Sequence, residues 1–334
     1  MNAFSTTRRA ALLAALIAVA APAAALAQDV VRVGVFPVSS ALPYFVAKER
    51  GYFADAGIET EEVRLMGGPP IVGAMFTGDI DAASNLVTIE GMNANTRRDG
   101  VVNYIAINAQ NAANRMEQFV ARDGLAVDSL ADLTDHDDVL AVMSAPGPAN
   151  MEAAKGVLAA VGLEEGTDYR LTELAMNLHV DAMKAGTFDL GYTLEPAGTV
   201  MRETGAASLV EDGVIARYIL GREDAQAFAA GAAVTGRFLE ERPAVAARFA
   251  AAWRRALADI RTDPSTRDLL VGNTFTPAEV AGTIPLVDFM MVDQLSDQAR
   301  ADFQAFMDFA ADADVLSERV DTSKYLKSLD EPAS

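Results

Sequence analysis

The stretch Gln28-Asp29-Val30-Val31-Arg32-Val33-Gly34-Val35-Phe36-Pro37-Val38-Ser39-Ser40-Ala41-Leu42-Pro43-Tyr44-Phe45-Val46-Ala47-Lys48-Glu49-Arg50-Gly51, with Glu59–Leu65 close behind, decides how this chain is read. Val30–Val35 is a β-branched run that predicts a buried strand. Pro37, Ser39, Ser40 and Pro43 interrupt it and open a helix expected over Phe45–Arg50, which Gly51 stops. A second strand is expected over Glu59–Leu65. Strand, turn, helix, strand is the repeating unit of an α/β fold. Open α/β sheets hold ligands at the turns beyond the carboxyl ends of their strands.

The same alternation continues along the chain. Strands are expected at Ile80–Ala83, Val101–Ile107, Phe119–Arg122, Val139–Met143, Tyr169–Leu174 and Asp189–Tyr192. Helices are expected at Pro70–Phe76, Thr88–Thr96, Pro148–Val161, Leu178–Ala185 and Pro196–Thr204, several of them ended by glycine. From Pro243 onward the pattern is helical: Pro243–Thr262, Ser265–Val271, Pro277–Ile284 and Asp297–Ala313. Val245, Phe249, Trp253 and Leu257 recur at helical spacing and predict a core-facing stripe.

Met1–Ala27 has the three parts of an export signal: Arg8 and Arg9, the apolar run Ala10–Ala21, and Ala25-Leu26-Ala27 as a cleavage site. The mature chain is therefore expected to begin at Gln28 and to work in the periplasm. Thr7–Leu12 resembles a twin-arginine signal, and an ordinary Sec signal fits equally. The apolar run is shorter than the ~20 residues a membrane span needs. With no cysteine, the chain has neither disulfides nor a lipoprotein anchor. A net charge of −20 makes nucleic acid and anionic membrane surfaces poor partners. Residues 331–334 are expected to be disordered. No nucleophile elbow or P-loop is present, and His136 and His179 lack metal-ligand spacing. Neither catalysis nor a cofactor is expected.

Several segments carry a family resemblance. Leu42–Ile58 resembles the first helix motif of the periplasmic substrate-binding proteins of ABC importers, in particular the nitrate/sulfonate/taurine and thiamine-precursor type. Gly78-Asp79-Ile80-Asp81 is similar to the family's G-x-hydrophobic-D strand. Leu130-Ala131-Asp132-Leu133 with Val139–Val142 resembles its ADL segment, and Gly186-Thr187-Phe188-Asp189 with Glu195-Pro196 its second lobe. The acidic run Asp135–Asp138 departs from the family pattern, which has a glycine there. The resemblance implies a two-lobed type II periplasmic binding protein fold with two crossover strands and the ligand cleft between the lobes. It implies lobe 1 from 28–117 plus 226–330 and lobe 2 from 118–225. Hinge closure would trap the ligand, and the closed form would be presented, as a monomer, to a membrane permease with its ATPase.

Ligand-binding candidates lie at strand ends. Ser39 and Ser40 precede a helix whose free N–H groups can hold an anion, or they simply cap it. Tyr44 offers a stacking face or packs in the core. Gly67 and Gly68 allow close backbone approach or form a plain turn. Ser84 and Asn85 are polar beside a buried strand, which suits a pocket or a helix cap. Gln110 and Asn111 can bridge the lobes or lie in a surface loop. In the second lobe, Ser144, Gly147 and Asn150 surround the start of a long helix, the seat expected for a carboxylate, sulfonate or phosphate. Asn177, His179, Tyr192 and Glu195 complete the set. His179 can read ligand charge or cap a helix. Glu195 can pair with an amine or start a helix. Arg115 is placed to meet an anion or lies in a solvated loop.

The leading reading is a solute-binding subunit for a small organic anion or zwitterion of sulfonate, taurine or nitrate type. The alternative is a neutral or cationic heterocycle such as a thiamine or other vitamin precursor, resting on Glu195 and Tyr44. A sensor-linked binding module and an enzyme on the same fold are further readings. The resembling thiamine-pyrimidine synthases use a cysteine-rich segment that this chain cannot supply.

Overall fold

The computed structural model describes residues 28–329; the expected export signal, 1–27, and the tail 330–334 lie outside the described residues. Among the described residues there are eleven strands: β1 Asp29–Val35, β2 Ile58–Arg64, β3 Ala82–Val87, β4 Val102–Gln110, β5 Glu117–Arg122, β6 Leu140–Ser144, β7 Tyr169–Glu173, β8 Leu190–Leu194, β9 Ala207–Asp212, β10 Ala227–Thr235 and β11 Asp288–Met291. Ten α-helices accompany them: α1 Leu42–Glu49, α2 Tyr52–Asp55, α3 Gly68–Thr77, α4 Thr88–Arg97, α5 Pro148–Ala160, α6 His179–Lys184, α7 Ala197–Glu203, α8 Gly236–Glu241, α9 Pro243–Thr262 and α10 Asp297–Asp312.

The strands form two sheets. A six-stranded sheet runs β11-β4-β10-β3-β1-β2, and a five-stranded sheet runs β7-β6-β8-β5-β9. β1 pairs in parallel with β2 and β3, as βαβ units require. β10 returns from the second sheet and inserts antiparallel between β3 and β4. In the second sheet β6 is parallel to β7 and β8, while β5 is antiparallel to β8 and β9. Two segments, 111–116 and 213–226, join the sheets. The result is a two-lobed α/β fold in which both strand-end faces look into one cleft.

Helices cover the sheets with their apolar stripes. On the outer side of the first lobe, α1 and α2 pack on α9, with the Phe53 and Phe249 rings stacked at 5.0 Å and Tyr44 at 6.0 Å from Phe53. Val245, Phe249, Trp253 and Leu257 are all buried, as their spacing predicts. Ser129 and Asp132 form a capping box that opens the short turn before β6.

Several elements differ from the sequence expectation. β3 begins at Ala82 and runs through Ser84-Asn85, and β4 continues to Gln110. Both carry polar residues deep inside strands, which period-two apolar patterning does not mark. β9, β10 and β11 had no sequence signal. β10, Ala-Phe-Ala-Ala-Gly-Ala-Ala-Val-Thr, is poor in β-formers. Its small side chains suit a position between two strands, where Gly231 lies so close to the Ala106 carbonyl that a Cβ would stand 2.5 Å from its oxygen. Tertiary packing overrides propensity there.

Candidate ligand-binding cleft

The chain leaves the first sheet at Phe36, and its backbone there no longer has a ladder partner. Asn85, in the middle of β3, supplies one. The Phe36 N–H donates to Asn85 Oδ1 at 3.1 Å, and Asn85 Nδ2 donates back to the Phe36 carbonyl at 2.8 Å. The second Asn85 amide hydrogen goes to Ser40 Oγ at 3.0 Å, and Ser84 Oγ donates to Asn85 Oδ1 at 2.6 Å. A polar pair inside a fully buried strand is tolerable because every bond is made. Ser40 accepts from Asn85 and keeps its own hydroxyl hydrogen for a partner in the cleft. Ser39 turns the other way: its N–H and hydroxyl both reach the Glu195 carbonyl of the second lobe, at 3.2 and 3.3 Å.

Between the sheets lies a small enclosed cavity of about 30 Å³. Its polar wall is Ser40, Asn85, Asn108, Gln110, Asn150 and Tyr192. Its apolar wall is Phe36, Val38, Val87, Met116, Leu194 and the Ala229-Ala230 pair of β10. Both lobes contribute, and no charged side chain lines it. A water needs roughly 10–15 Å³ of such space, so the cavity as it stands has room for little more than a water or two.

Asn108 gives this cavity its chemistry. It is 4% exposed, and its Nδ2 has no hydrogen-bond partner among the described residues. A buried amide left unpaired is costly, so its donor is aimed at something. Gln110, two residues on and on the same face of β4, donates to Glu117 Oε2 at 2.6 Å. Asn150 Nδ2 donates to the Pro146 carbonyl at 2.7 Å. The Tyr192 phenol is held well above its ordinary pKa, chiefly by burial and then by the Glu117 charge, so it stays a hydrogen-bond donor.

The turn before α5 has another occupant. Gly147 adopts φ +103°, and the Ala149 N–H at the helix start donates to Glu90 Oε1 at 3.3 Å. Glu90 comes from α4 of the other lobe. Gly67 and Gly68 face the same junction: a Cβ at Gly67 would meet the Pro146 ring at 3.7 Å, and one at Gly68 would lie 3.1 Å from the Glu90 carboxyl carbon. Pro69 and Pro70 follow, so two of the first amides of α3 are missing and this helix start makes a poor anion cradle. Gly67, Gly68 and Gly147 stand at this junction and are not in the wall of the cavity. They let the lobes approach each other.

Other expected residues also lie outside the cavity. Tyr44 packs in the outer core with its hydroxyl 3.4 Å from Thr60 Oγ1. Glu195 is fully buried and consumed: it accepts from Gln118 Nε2 at 2.8 Å and from the Thr199 N–H and Oγ1 at 3.0 Å each, with Arg115 and Arg202 beside it. Arg115 spends its charge on Asp212 at 2.8 Å. His179 is buried between Thr193 Oγ1 at 2.9 Å and the Leu174 carbonyl at 3.0 Å, and burial lowers its pKa to about 4. It is a neutral brace, not a charge reader. Asn177 is exposed on a short turn, Ser144 bonds the neighbouring Ala145 carbonyl at 3.1 Å, and Asn111 closes a turn in the first crossover. The structure thus brings together Ser40, Asn85, Gln110, Asn150 and Tyr192. Asn108, Met116 and Glu90 escaped sequence reasoning. Asn108 was legible through its period-two relation to Gln110, whereas Glu90 inside a helix carried no signal.

Comparison with known proteins follows this geometry. A family model described as the NMT1-like family matches residues 24–272, well over half of the chain. A search of the curated proteins finds no match. Among solved structures, the alkanesulfonate-binding protein SsuA from Xanthomonas axonopodis pv. citri bound to MOPS aligns at 18% identity and TM-score 0.69, covering 90% of this chain and 99% of that one. The periplasmic nitrate-binding protein NrtA from Synechocystis PCC 6803 aligns at 14% identity and TM-score 0.68, covering 88% and 84%. The desulfurization enzyme DSZB aligns at 19% identity and TM-score 0.65, covering 90% and 97%. The fold is therefore that of periplasmic binding proteins, shared with at least one enzyme. With the two lobes, the two crossovers and the family match in hand, the chain belongs to the NMT1-like family.

Proposed function

We propose that this protein is the extracytoplasmic solute-binding subunit of an ABC importer. It captures a small organic anion or zwitterion of sulfonate, taurine or nitrate type by hinge closure about 111–116 and 213–226, and delivers it to a permease with its ATPase. The observation that carries this reading is the buried, unpartnered Nδ2 of Asn108 in an interlobe cavity, with the Ser40 and Tyr192 hydroxyls on the same wall. An oxyanion accepts from all three. Hydrogen bonds from neutral donors to a charged acceptor are strong where water is excluded, so no lining cation is needed. Phe36, Val38, Val87 and Leu194 give a carbon skeleton an apolar wall. In this reading the export signal directs a monomer to the periplasm, and the sites of 28–117 plus 226–330 and of 118–225 close on each other.

A neutral heterocycle is the second reading, favoured by the uncharged lining. Its cationic form loses its basis, because Glu195 is spent on Gln118, Thr199 and two arginines. No lining residue is a cysteine, histidine, carboxylate, lysine or arginine, which supports binding without turnover.

The test is a thermal-shift and calorimetric screen of the purified chain against alkanesulfonates, taurine, nitrate, carboxylates and vitamin precursors, with product analysis for any hit. A solute at about 100 times its dissociation constant stabilises the folded state by roughly 2.7 kcal/mol. A shift with sulfonates or nitrate and no product supports the proposal. A shift confined to heterocycles selects the second reading, and conversion of a bound solute overturns both.

A further inference from the structure

Glu90 is a carboxylate from one lobe built into the helix start of the other. It lies in the first turn of α4, is 9% exposed, and points across the cleft at the N-terminus of α5. The Ala149 N–H donates to its Oε1 at 3.3 Å, and its Oε2 is buried with no partner among the described residues. Two glycines from opposite lobes make the room: a Cβ at Gly147 would stand 2.9 Å from Glu90 Oε1, and one at Gly68 3.1 Å from its carboxyl carbon. Among the described residues no lysine or arginine pairs with it. The charged group facing it from β7 is Glu173, and Tyr104 of β4 packs alongside, its hydroxyl donating to the Val87 carbonyl at 3.1 Å. What holds the carboxylate is the amides and dipole at a helix start, the interaction such a terminus offers any anion.

We propose that Glu90 is a built-in carboxyl group that occupies the seat at the N-terminus of α5, so that this seat serves lobe closure and the solute's head is confined to the neutral donors around Asn108. The inference deepens the importer reading and rests on it for the solute clause alone. It makes Glu90 a positioning residue: it touches no solute, yet it sets how firmly the cleft shuts. Burial pushes its pKa up to about 7, above the value an opened, solvated cleft gives it, so the closed form binds the proton more tightly and the clasp weakens as pH rises through that range.

The chain has no native cysteine, so spin labels at Glu61→Cys on β2 and Thr172→Cys on β7 report the distance between the two sheet edges by double electron–electron resonance, without any solute. Below pH 7 the otherwise unaltered chain is expected to show a short-distance population that falls as pH rises past 7. Glu90→Ala is expected to lose it for a longer, broader distribution, and excess sodium formate, refilling the vacated seat, to bring it back. Glu90→Gln, which keeps the shape and one acceptor, is expected to fold normally and to abolish the pH dependence of the closed fraction. An unchanged distance in Glu90→Ala, an opened one that formate leaves open, or a Glu90→Gln chain that keeps the original pH profile overturns the proposal. Because no solute is used, an empty ligand screen would count against the importer reading and leave the clasp standing.

Discussion

Asn85 and Phe36 exchange two hydrogen bonds, one in each direction, at 3.1 and 2.8 Å, and this pair fixes where the first sheet ends and the cleft begins. Asn85→Ala leaves the buried Phe36 N–H unpaired, while its carbonyl keeps the Val38 N–H at 2.8 Å. At about 1–3 kcal/mol for an unsatisfied group, a loss of roughly 2 kcal/mol in unfolding free energy is expected. Urea denaturation at neutral pH checks it; a loss within error of zero would show that water replaces the side chain.

Asn108 should behave in the opposite manner. Its Nδ2 has no protein partner to lose, so Asn108→Leu is expected to leave stability unchanged or raised while weakening solute binding about tenfold or more, the worth of one hydrogen bond of about 1.4 kcal/mol. Calorimetric affinity and melting temperature, measured on one sample, separate the two effects. A parallel fall in both would mean that Asn108 is structural.

Glu117 ties the two crossovers together. Its Oε2 accepts from Gln110 Nε2 at 2.6 Å and its Oε1 from the Ile215 N–H at 3.3 Å. Complete burial raises its pKa from 4.5 to about 7, the Asp212 charge adding to the effect. Between those values the folded chain holds a proton that the unfolded chain has released, so this group's contribution to stability falls as pH rises through the window, by about 3 kcal/mol. Glu117→Gln is expected to remove that fall. Denaturation midpoints measured at intervals from acid to neutral pH give the slope; an unaltered slope would place the titration elsewhere, with Glu90 the next group to replace.

His179 opposes it over an overlapping range. Burial lowers its pKa from 6.5 to about 4. Below 6.5 the unfolded chain binds a proton that the folded chain refuses, so stability is lost as pH falls toward about 4, again by about 3 kcal/mol. His179→Gln is expected to flatten this acid loss, leaving the rise from the carboxylates exposed. A variant that keeps the original acid limb would show that His179 is protonated in the folded state.

Gly147→Ala tests the lobe contact itself. The new Cβ would meet Glu90 Oε1 at 2.9 Å and Pro69 at 3.5 Å, on a backbone with φ +103°. Strain of about 1–3 kcal/mol is expected, and relief comes most easily by parting the lobes. Solute affinity should fall about tenfold or more by that conversion, with the melting temperature of the solute-free chain changed less than the affinity. Retained affinity would mean that the closed lobes do not meet at this turn.

Local signals in the chain were good guides to regular structure and to the strand-end turns. Val30–Val35 is legible as a strand and Ser39-Ser40 and Gly147-Pro148 as turns, because strand and turn preferences act over a few residues. β10 announces nothing, since its alanines and Gly231 are selected by neighbours distant in sequence. The same division runs through the site. Ser40, Asn85, Gln110, Asn150 and Tyr192 were legible as polar residues near strand ends. Tyr44, His179 and Glu195 were legible as polar or aromatic residues, but the side of the sheet they face and the partners that consume them were not.

The sequence by itself determined that this is an α/β chain with polar turns at its strand ends, a strongly negative net charge and no thiol chemistry, because those properties follow from composition and short-range pattern. Only the tertiary structure decided what each turn does. The start of α5 looks, in isolation, like a seat for a solute's anionic head; in the folded chain a carboxylate 59 positions earlier in sequence already occupies it. That assignment depends on two lobes meeting across a cleft, and contacts between surfaces leave no periodic trace in the segments that make them.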